Sequence, residues 1–456
     1  MEAAGTTEVD VDSLMIGVSG VRGVVGEGLT PEVVVRFGTA FGTYLDGGMV
    51  VVGRDSRRSG TMIRDALVAG LVSTGCSVTE VGIAPTPTIQ LAVEELGAAG
   101  GVAITASHNP IEWNALKFMG PGGLFLDAHE GARLVGLYRG EDLKGVRWDG
   151  IGAVSADMSV IDRHIDRVHS LSLIDAIGIR ERSYTVVIDC CNGGASVAFP
   201  QFLRSMGCTV VELYCEPDGL FPRSPEPVPA NLAGLEAAVR EAGADAGFAT
   251  DADGDRLSIV SNAGEPLGEE ATLALAVSYV LDVRPGPVVT NLSTSRAVDD
   301  IAARFGQRVF RSKVGEANVV REMKVRGAVI GGEGNGGVIY PDLHYARDAM
   351  VGMALVLALL TARGVGIDRL AAELPHYHIV KDVVRTTSLA DDELVGIARD
   401  QFPDAEFDLT DGVKALWKDR WVHMRRSGTE PILRIIAEAP EEEDAVRLCA
   451  VLKDRL

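Results

Sequence analysis

The sequence predicts an α/β protein built from three related α/β domains and a smaller C-terminal α+β domain. Three observations carry that reading. The chain has 456 residues, more than one hydrophobic core usually serves. A β-α-β layout of about thirty residues recurs three times along it. After about residue 375 that layout gives way to a different one.

The first copy is "MVVVGRDSRRSGTMIRDALVAGLVSTGCSVTEVG" from Met49, the second "YTVVIDCCNGGASVAFPQFLRSMGCTVVELY" from Tyr184, the third "PVVTNLSTSRAVDDIAARFGQRVFRSKVG" from Pro287. Each has a β-branched apolar run, a polar tip, a stretch of helical period, a glycine turn and a second apolar run. Each is followed by a further helix pattern and a further strand: "GVAITASHNP", "AGFATDADGDR" and "GAVIGGEGNGG". Their polar tips fall at strand C-terminal ends, where open α/β sheets bind ligands. The repeat therefore predicts three tips that face one crevice; the alternative is three unrelated polar loops. From about residue 376, "HYHIVKDVVRT", "DLTDGVKALWKDRWVHMRRSGTEPILRIIAEAP" and "EEEDAVRLCAVLKDRL" read as strands, a loop between strands and a closing helix. The expected domains are thus 1–150, 151–255, 256–375 and 376–456. The Pro-rich run 217–231 reads as an ordered surface loop of the second.

A formal net charge of -21 argues against a nucleic-acid or anionic-membrane surface, and if the substrate is anionic its site must be a local basic island. The N-terminus, "MEAAGTTEVDVDSL", is acidic and has no apolar core segment, so no signal peptide is expected. The longest apolar run, 349 to 362, is too short to span a bilayer and reads as a buried helix. Six cysteines without a C-x-x-C pair, two of them adjacent at Cys190 and Cys191, point to reduced thiols and a cytoplasmic protein, without a metal–thiolate site.

Four stretches carry the chemistry. In "TDADGDR", Asp251, Asp253 and Asp255 alternate, which in an extended chain sets three carboxylates on one side. They repel one another unless a cation sits among them, and hard oxygen ligands suit Mg²⁺. An EF-hand needs glycine at loop position six and an acid at twelve; counted from Asp251 those are Arg256 and Asn262, so that rival fails. A solvated acidic turn is the bland alternative. Ser107, in "TASHNP", lacks a G-x-S-x-G elbow, which argues against a hydrolase triad. A phosphoserine makes better sense, with its charge met by a divalent ion on the aspartates. His108 and Lys117 lie close in sequence; Lys117 can bind phosphate or, with a lowered pKa, move a proton, whereas His108 and Asn109 can equally serve the turn before Pro110.

In "GGEGNGG", Glu333 and Asn335 offer acceptors and donors at alternate positions, as sugar hydroxyls require; a dinucleotide loop is the rival, but the spacing is not G-x-G-x-x-G. In "RRSGTEP", Arg425, Ser427, Gly428 and Thr429 supply a guanidinium, two hydroxyls and a tight turn able to enclose a phosphate monoester. Arg22, in "GVSGVRG", is a candidate phosphate contact. Asp55, Arg57 and Arg58 read as structural ion pairs at a domain surface.

"TASHNP", "DADGDR", "GEGNGG" and "RRSGTEP", in that order, resemble the four active-site loops of the α-D-phosphohexomutases, and the resemblance runs over nearly the whole chain. It implies four domains around a central cleft, three of them related α/β units with mixed sheets. It implies a phosphoserine at Ser107, with Mg²⁺ held by Asp251, Asp253, Asp255 and that phosphate. The group passes to a hexose monophosphate to give a hexose 1,6-bisphosphate, which reorients and returns its other phosphate to Ser107. Arg425, Ser427, Gly428 and Thr429 would hold the non-reacting phosphate, and Glu333 and Asn335 the sugar. Arg22, His108 and Lys117 would surround the transferring group, with Lys117 the candidate proton carrier; Arg256 and Lys313 would line the cleft. The expected partner is a small sugar phosphate, and the expected assembly a monomer or homodimer.

The sugar loop departs from the common G-E-x-S-G-H: asparagine stands at 335 and glycine at 337. Its G-E-x-N-G-G resembles archaeal-type phosphoglucosamine mutases and their bacterial relatives, which implies glucosamine phosphate; glucose or mannose phosphate is the alternative. In the metal loop, Ala252 stands where glycine is common. Two readings of other classes are a non-catalytic sugar-phosphate sensor on the same fold and a phosphatase with an aspartate nucleophile.

Overall fold

A computed structural model describes residues 14–17, 20–385, 389–426 and 432–456. Four sheets divide the described residues, of seven, four, four and five strands. The threefold repeat is present as one topology. In the first sheet, Met49–Arg54 pairs in parallel with Ser77–Ile83 on one side and Gly100–Ile104 on the other, and Gly100–Ile104 pairs antiparallel with Trp113–Met119. In the second, Thr185–Asp189 lies between Thr209–Leu213 and Ala246–Thr250, and Ala246–Thr250 turns back into antiparallel Leu257–Ser261. In the third, Val288–Asn291 lies between Val309–Ser312 and Ile330–Glu333, and Ile330–Glu333 turns back into Gly337–Ile339. Each chemical tip is therefore the hairpin loop between the third and fourth strands of its unit.

Two of these sheets extend past the boundaries expected from sequence. Val154–Ala156 pairs in parallel with Ser77–Ile83, so the first sheet runs beyond residue 150. Leu257–Ser261 completes the second sheet, so a boundary at 255 falls inside its hairpin. The second and third sheets also share one hydrophobic core, in which Ile188 and Phe248 join Val288 and Ile330. The helices Glu269–Val283 and Ala349–Arg363 fill it; the latter is the long apolar run, buried from Ala349 to Leu360. Each fully buried Leu or Val there contributes about 1.5–3 kcal/mol, which binds these two units more firmly than a polar interdomain contact.

Local chemistry fixes the element ends. Thr30 caps the helix Pro31–Leu45, whose first residue is proline, and Asp127 with Glu130 forms a capping box on Ala128–Arg139. The C-terminal domain is an antiparallel sheet covered by Glu442–Lys453 and by a second helix, Asp391–Gln401. All six cysteines are free. No helix among the described residues is long and apolar enough to cross a membrane.

Candidate active site

The strand Gly100–Ile104 ends and the chain bends so that Ser107 takes a left-handed φ of 49°. A non-glycine residue held there costs about 1–2 kcal/mol, and a buried clamp opposes that cost. Arg57 Nη2 donates to the carbonyls of Ser107 at 3.0 Å and Asn109 at 2.6 Å, while Nη1 pairs with Asp55 Oδ2. Thr105 Oγ1 donates to the same Asp55 oxygen at 2.6 Å, and Ser107 N donates back to Thr105 Oγ1 at 3.1 Å. Phe221, from the Pro-rich loop, lies with its ring 4.8 Å beneath the Arg57 guanidinium. The Asp55–Arg57 pair is thus no surface pair: both side chains are fully buried, and they shape the serine turn. Arg58 alone of the three is exposed.

The metal loop reaches the same place. Ala246–Thr250 ends before Asp251, and the three aspartates lie on a turn through Gly254, whose φ is 71°. Turn geometry, rather than the alternation of an extended strand, gathers one carboxylate oxygen from each of Asp251, Asp253 and Asp255 within 4.8 Å. Ser107 Oγ donates to Asp251 Oδ2 at 2.5 Å. Lys117, on Trp113–Met119, donates to Asp253 Oδ2 at 2.6 Å and lies 4.0 Å from Asp255. Thr86 Oγ1 donates to Asp253 Oδ2 at 2.8 Å. Asp253 Oδ1 and Asp255 Oδ1 are buried with no hydrogen-bond partner among the described residues. Orphaned carboxylate oxygens beside a serine hydroxyl are the donor set of a hard divalent cation, so these residues fit Mg²⁺.

The electrostatics follow from burial and neighbours. Burial, with Asp253 and Asp255 alongside, pushes the Asp251 carboxyl well above its usual range. Burial opposes ionisation of Asp253 as well, but Lys117 together with the hydrogen bonds from Asp251 and Thr86 offsets it and holds that carboxyl low. Burial likewise opposes the Lys117 ammonium, and the two carboxylates more than offset it, raising its pKa. The lowered value that proton abstraction by Lys117 requires is therefore not what this arrangement provides. His108, 3.4 Å from Ser107 Oγ, is pushed well below its usual value by Arg256 first, then by burial and Arg22. These cations form the basic island that the acidic chain needs. Arg22 Nη1 donates to Asn109 Oδ1 at 3.2 Å, and Arg256 N donates to Asp251 Oδ1 at 3.2 Å.

The sugar loop lies against the metal loop. Glu333 Oε1 accepts from Asn291 Nδ2 at 2.8 Å and Gly315 N at 3.0 Å, and Oε2 accepts from Arg347 Nη1 at 3.0 Å. A carboxylate has about four acceptor sites, so one remains for a hydroxyl. Burial disfavours the charged form, but Arg347 and Asn291 offset it and hold the Glu333 pKa below its usual value. Asn335 Oδ1 accepts from Gly337 N at 3.3 Å. Lys313 is exposed beyond Val309–Ser312. Arg425, on Trp421–Arg426, lies 3.7 Å from Asp411, whose Oδ2 accepts from Val314 N of the third unit at 2.9 Å. Ser427, Gly428 and Thr429 lie outside the described residues.

Sequence reasoning missed Arg347, Thr86, Asn291 and the inward role of Arg57. None stands in a motif of its own. Only Asp55, two residues before Arg57, offered a local signal.

Models of the alpha/beta/alpha domains I, II and III and the C-terminal domain of phosphoglucomutase/phosphomannomutase match residues 13–144, 162–264, 269–377 and 383–454. The chain is 40% identical over 449 residues to a Thermococcus kodakarensis protein named phosphoglucomutase/phosphomannomutase, covering 94% of this chain and 96% of that one. It is 38% identical over 436 residues to a probable phosphoglucosamine mutase of Methanopyrus kandleri, covering 95% of each. A crystal structure of a phosphoglucomutase/phosphomannomutase family protein from Burkholderia thailandensis superposes with a TM-score of 0.84 at 26% identity, covering 96% of each chain.

Proposed function

The chain belongs to the phosphoglucomutase/phosphomannomutase family, and from that premise we propose that it converts glucosamine 6-phosphate to glucosamine 1-phosphate. It is a phosphohexomutase, an isomerase that moves a phosphoryl group between positions of a hexose. The contact between Ser107 Oγ and Asp251 Oδ2, inside a carboxylate set with orphaned oxygens, carries the mechanistic part of the reading.

Ser107 enters as its phosphate ester. A hydroxyl of the hexose monophosphate attacks that phosphorus, the Oγ–P bond breaks, an O–P bond to the sugar forms, and a bisphosphate results. Ser107 Oγ takes up the proton that the sugar hydroxyl loses, and Lys117, held as an ammonium beside Asp253 and Asp255, contributes positive charge to the transferring group rather than carrying that proton. After the sugar turns over, Ser107 takes the other phosphate and the product leaves. Phosphoryl transfer has a loose transition state, so positioning and charge are most of the catalysis. Mg²⁺ held by Asp251, Asp253 and Asp255 would neutralise charge on the transferring group. Arg22, His108 and Arg256 flank that group, Glu333 and Asn335 take sugar hydroxyls, and Arg425 with Ser427, Gly428 and Thr429 holds the distal phosphate. Lys313, exposed just past Val309–Ser312, is a further proposed substrate contact.

The amino sugar is favoured by the G-E-x-N-G-G loop and by relatives named probable phosphoglucosamine mutase. The Thermococcus kodakarensis relative favours the second reading, glucose or mannose phosphate. A rate panel on glucosamine, glucose and mannose phosphates, with Mg²⁺ and a trace of bisphosphate, separates the two. Glucosamine phosphate is expected to give the highest kcat/KM, and equal values on all three sugars remove the assignment.

A further inference from the structure

Arg347 lies at the junction of three chain segments. Its Nη2 donates to Asp255 Oδ2 at 2.6 Å, its Nη1 to Glu333 Oε2 at 3.0 Å and its Nε to Glu316 Oε2 at 2.9 Å. The side chain is 11% exposed. Asp255 belongs to the metal loop of the second unit, Glu333 ends the third strand of the third unit, and Glu316 opens the helix Glu316–Arg326. Glu316 Oε1 in turn accepts from Gln90 Nε2 at 3.2 Å, on the first-unit helix whose Thr86 holds Asp253. One guanidinium thus ties the metal loop of the second unit to the sugar loop and a helix of the third, and reaches the first unit through Glu316 and Gln90. Its flat fork of donors is suited to that, whereas a lysine ammonium is a single point charge.

The place Arg347 occupies is available only because residue 337 is glycine. A Cβ built on Gly337 lies 2.3 Å from Arg347 Cδ and 2.9 Å from Cγ, closer than carbon atoms approach. The stem of the arginine runs through the space that any side chain at 337 would fill.

We propose that Arg347 and Gly337 form a matched pair in which Arg347 is the positioning residue that locks the metal loop to the sugar loop, and Gly337 is the gap that admits it. The pair sets the orientation of Asp255 and Glu333 together, so metal affinity and sugar affinity are coupled through one side chain. This rests on the reading of the aspartates as metal ligands and of Glu333 as a sugar contact.

The test uses the full chain and two variants, Arg347→Lys and Gly337→Ala, with thermal unfolding measured for each. Mn²⁺ binding is measured by calorimetry without substrate, and KM is measured with glucosamine 6-phosphate. Side chains that hydrogen-bond to metal ligands and orient them are worth about 10–100-fold in affinity. Each folded variant is therefore expected to weaken Mn²⁺ binding and raise KM, both by about tenfold or more. Wild-type Mn²⁺ affinity in either folded variant overturns the coupling, as does a change in KM alone. Gly337→Ala removes no charged group, so it decides the matter if Arg347→Lys does not fold. Wild-type protein that binds no Mn²⁺, or binds it equally well as Asp253→Asn, instead overturns the underlying metal reading and the coupling with it.

Discussion

The hydroxyl of Ser107 donates to the carboxylate of Asp251 across 2.5 Å, although 144 residues separate them in the chain. Two hairpin loops from different sheets meet at that bond. It predicts that neither residue works without the other. Ser107→Ala is expected to lower mutase turnover by roughly a thousandfold or more, the scale for loss of a covalent nucleophile. Intact mass should show a phosphatase-sensitive phosphate on the wild-type protein and none on the variant. Phosphatase activity that survives Ser107→Ala intact would point instead to an aspartate nucleophile.

Lys117 is the buried cation that balances Asp253. Removing one partner of a buried pair commonly destabilises by about 3–5 kcal/mol. Lys117→Met should therefore lower the Tm measurably in chelator. Added Mg²⁺ should recover much of the loss, because a bound cation replaces the missing charge. A Tm indifferent to Mg²⁺ in both proteins would count against a metal at the aspartates.

Arg57 holds the strained serine turn through two carbonyls. Arg57→Lys keeps the charge opposite Asp55 but loses the fork that reaches both oxygens. The expected outcome is a fall in kcat with little change in KM, since the turn presents the reacting group rather than the sugar. Loss of stability should be about 1–3 kcal/mol, the cost of buried acceptors left unpaired. An unaltered kcat in a folded variant would return Arg57 to a purely structural role.

His423 sits between the third and fourth units. Its Nδ1 lies 3.0 Å from Ser293 Oγ and its Nε2 donates to the Asp411 carbonyl at 2.6 Å. Burial lowers its pKa to about 4. As pH falls below the unfolded value of about 6.5, the unfolded chain takes a proton that the folded one refuses. Stability held above that pH is then lost progressively as pH falls towards 4. His423→Gln should flatten this acid limb in urea titrations run from pH 7 to pH 4.5. Parallel wild-type and variant curves would show that another group sets it.

Much of the fold was legible because it is local. Alternating and helical periods located the strands and helices of each unit, and the threefold recurrence of "strand, polar tip, helix, glycine turn" announced one topology used three times. The four motifs located the chemistry, because serine, clustered aspartates and glycine-rich loops at strand ends are residue types with few other uses together. Domain limits were less legible: Val154–Ala156 and Leu257–Ser261 join sheets by pairing with distant strands, which no local period reports. The helix Asp391–Gln401 buries only Leu394 and Ala398, a short apolar stripe with little periodic signal.

By itself, then, the sequence determined the repeat, the order of the chemical tips and the identity of the groups they carry, since all of these are properties of short stretches. Tertiary structure alone decided that Asp55 and Arg57 turn inward, that Lys117 is held as a cation between two aspartates, and that Arg347 fills the space left by Gly337. The reason is that charge and packing act through space. A guanidinium chooses its carboxylates by distance and burial, and those are set only once loops far apart in the chain have been brought to one cleft.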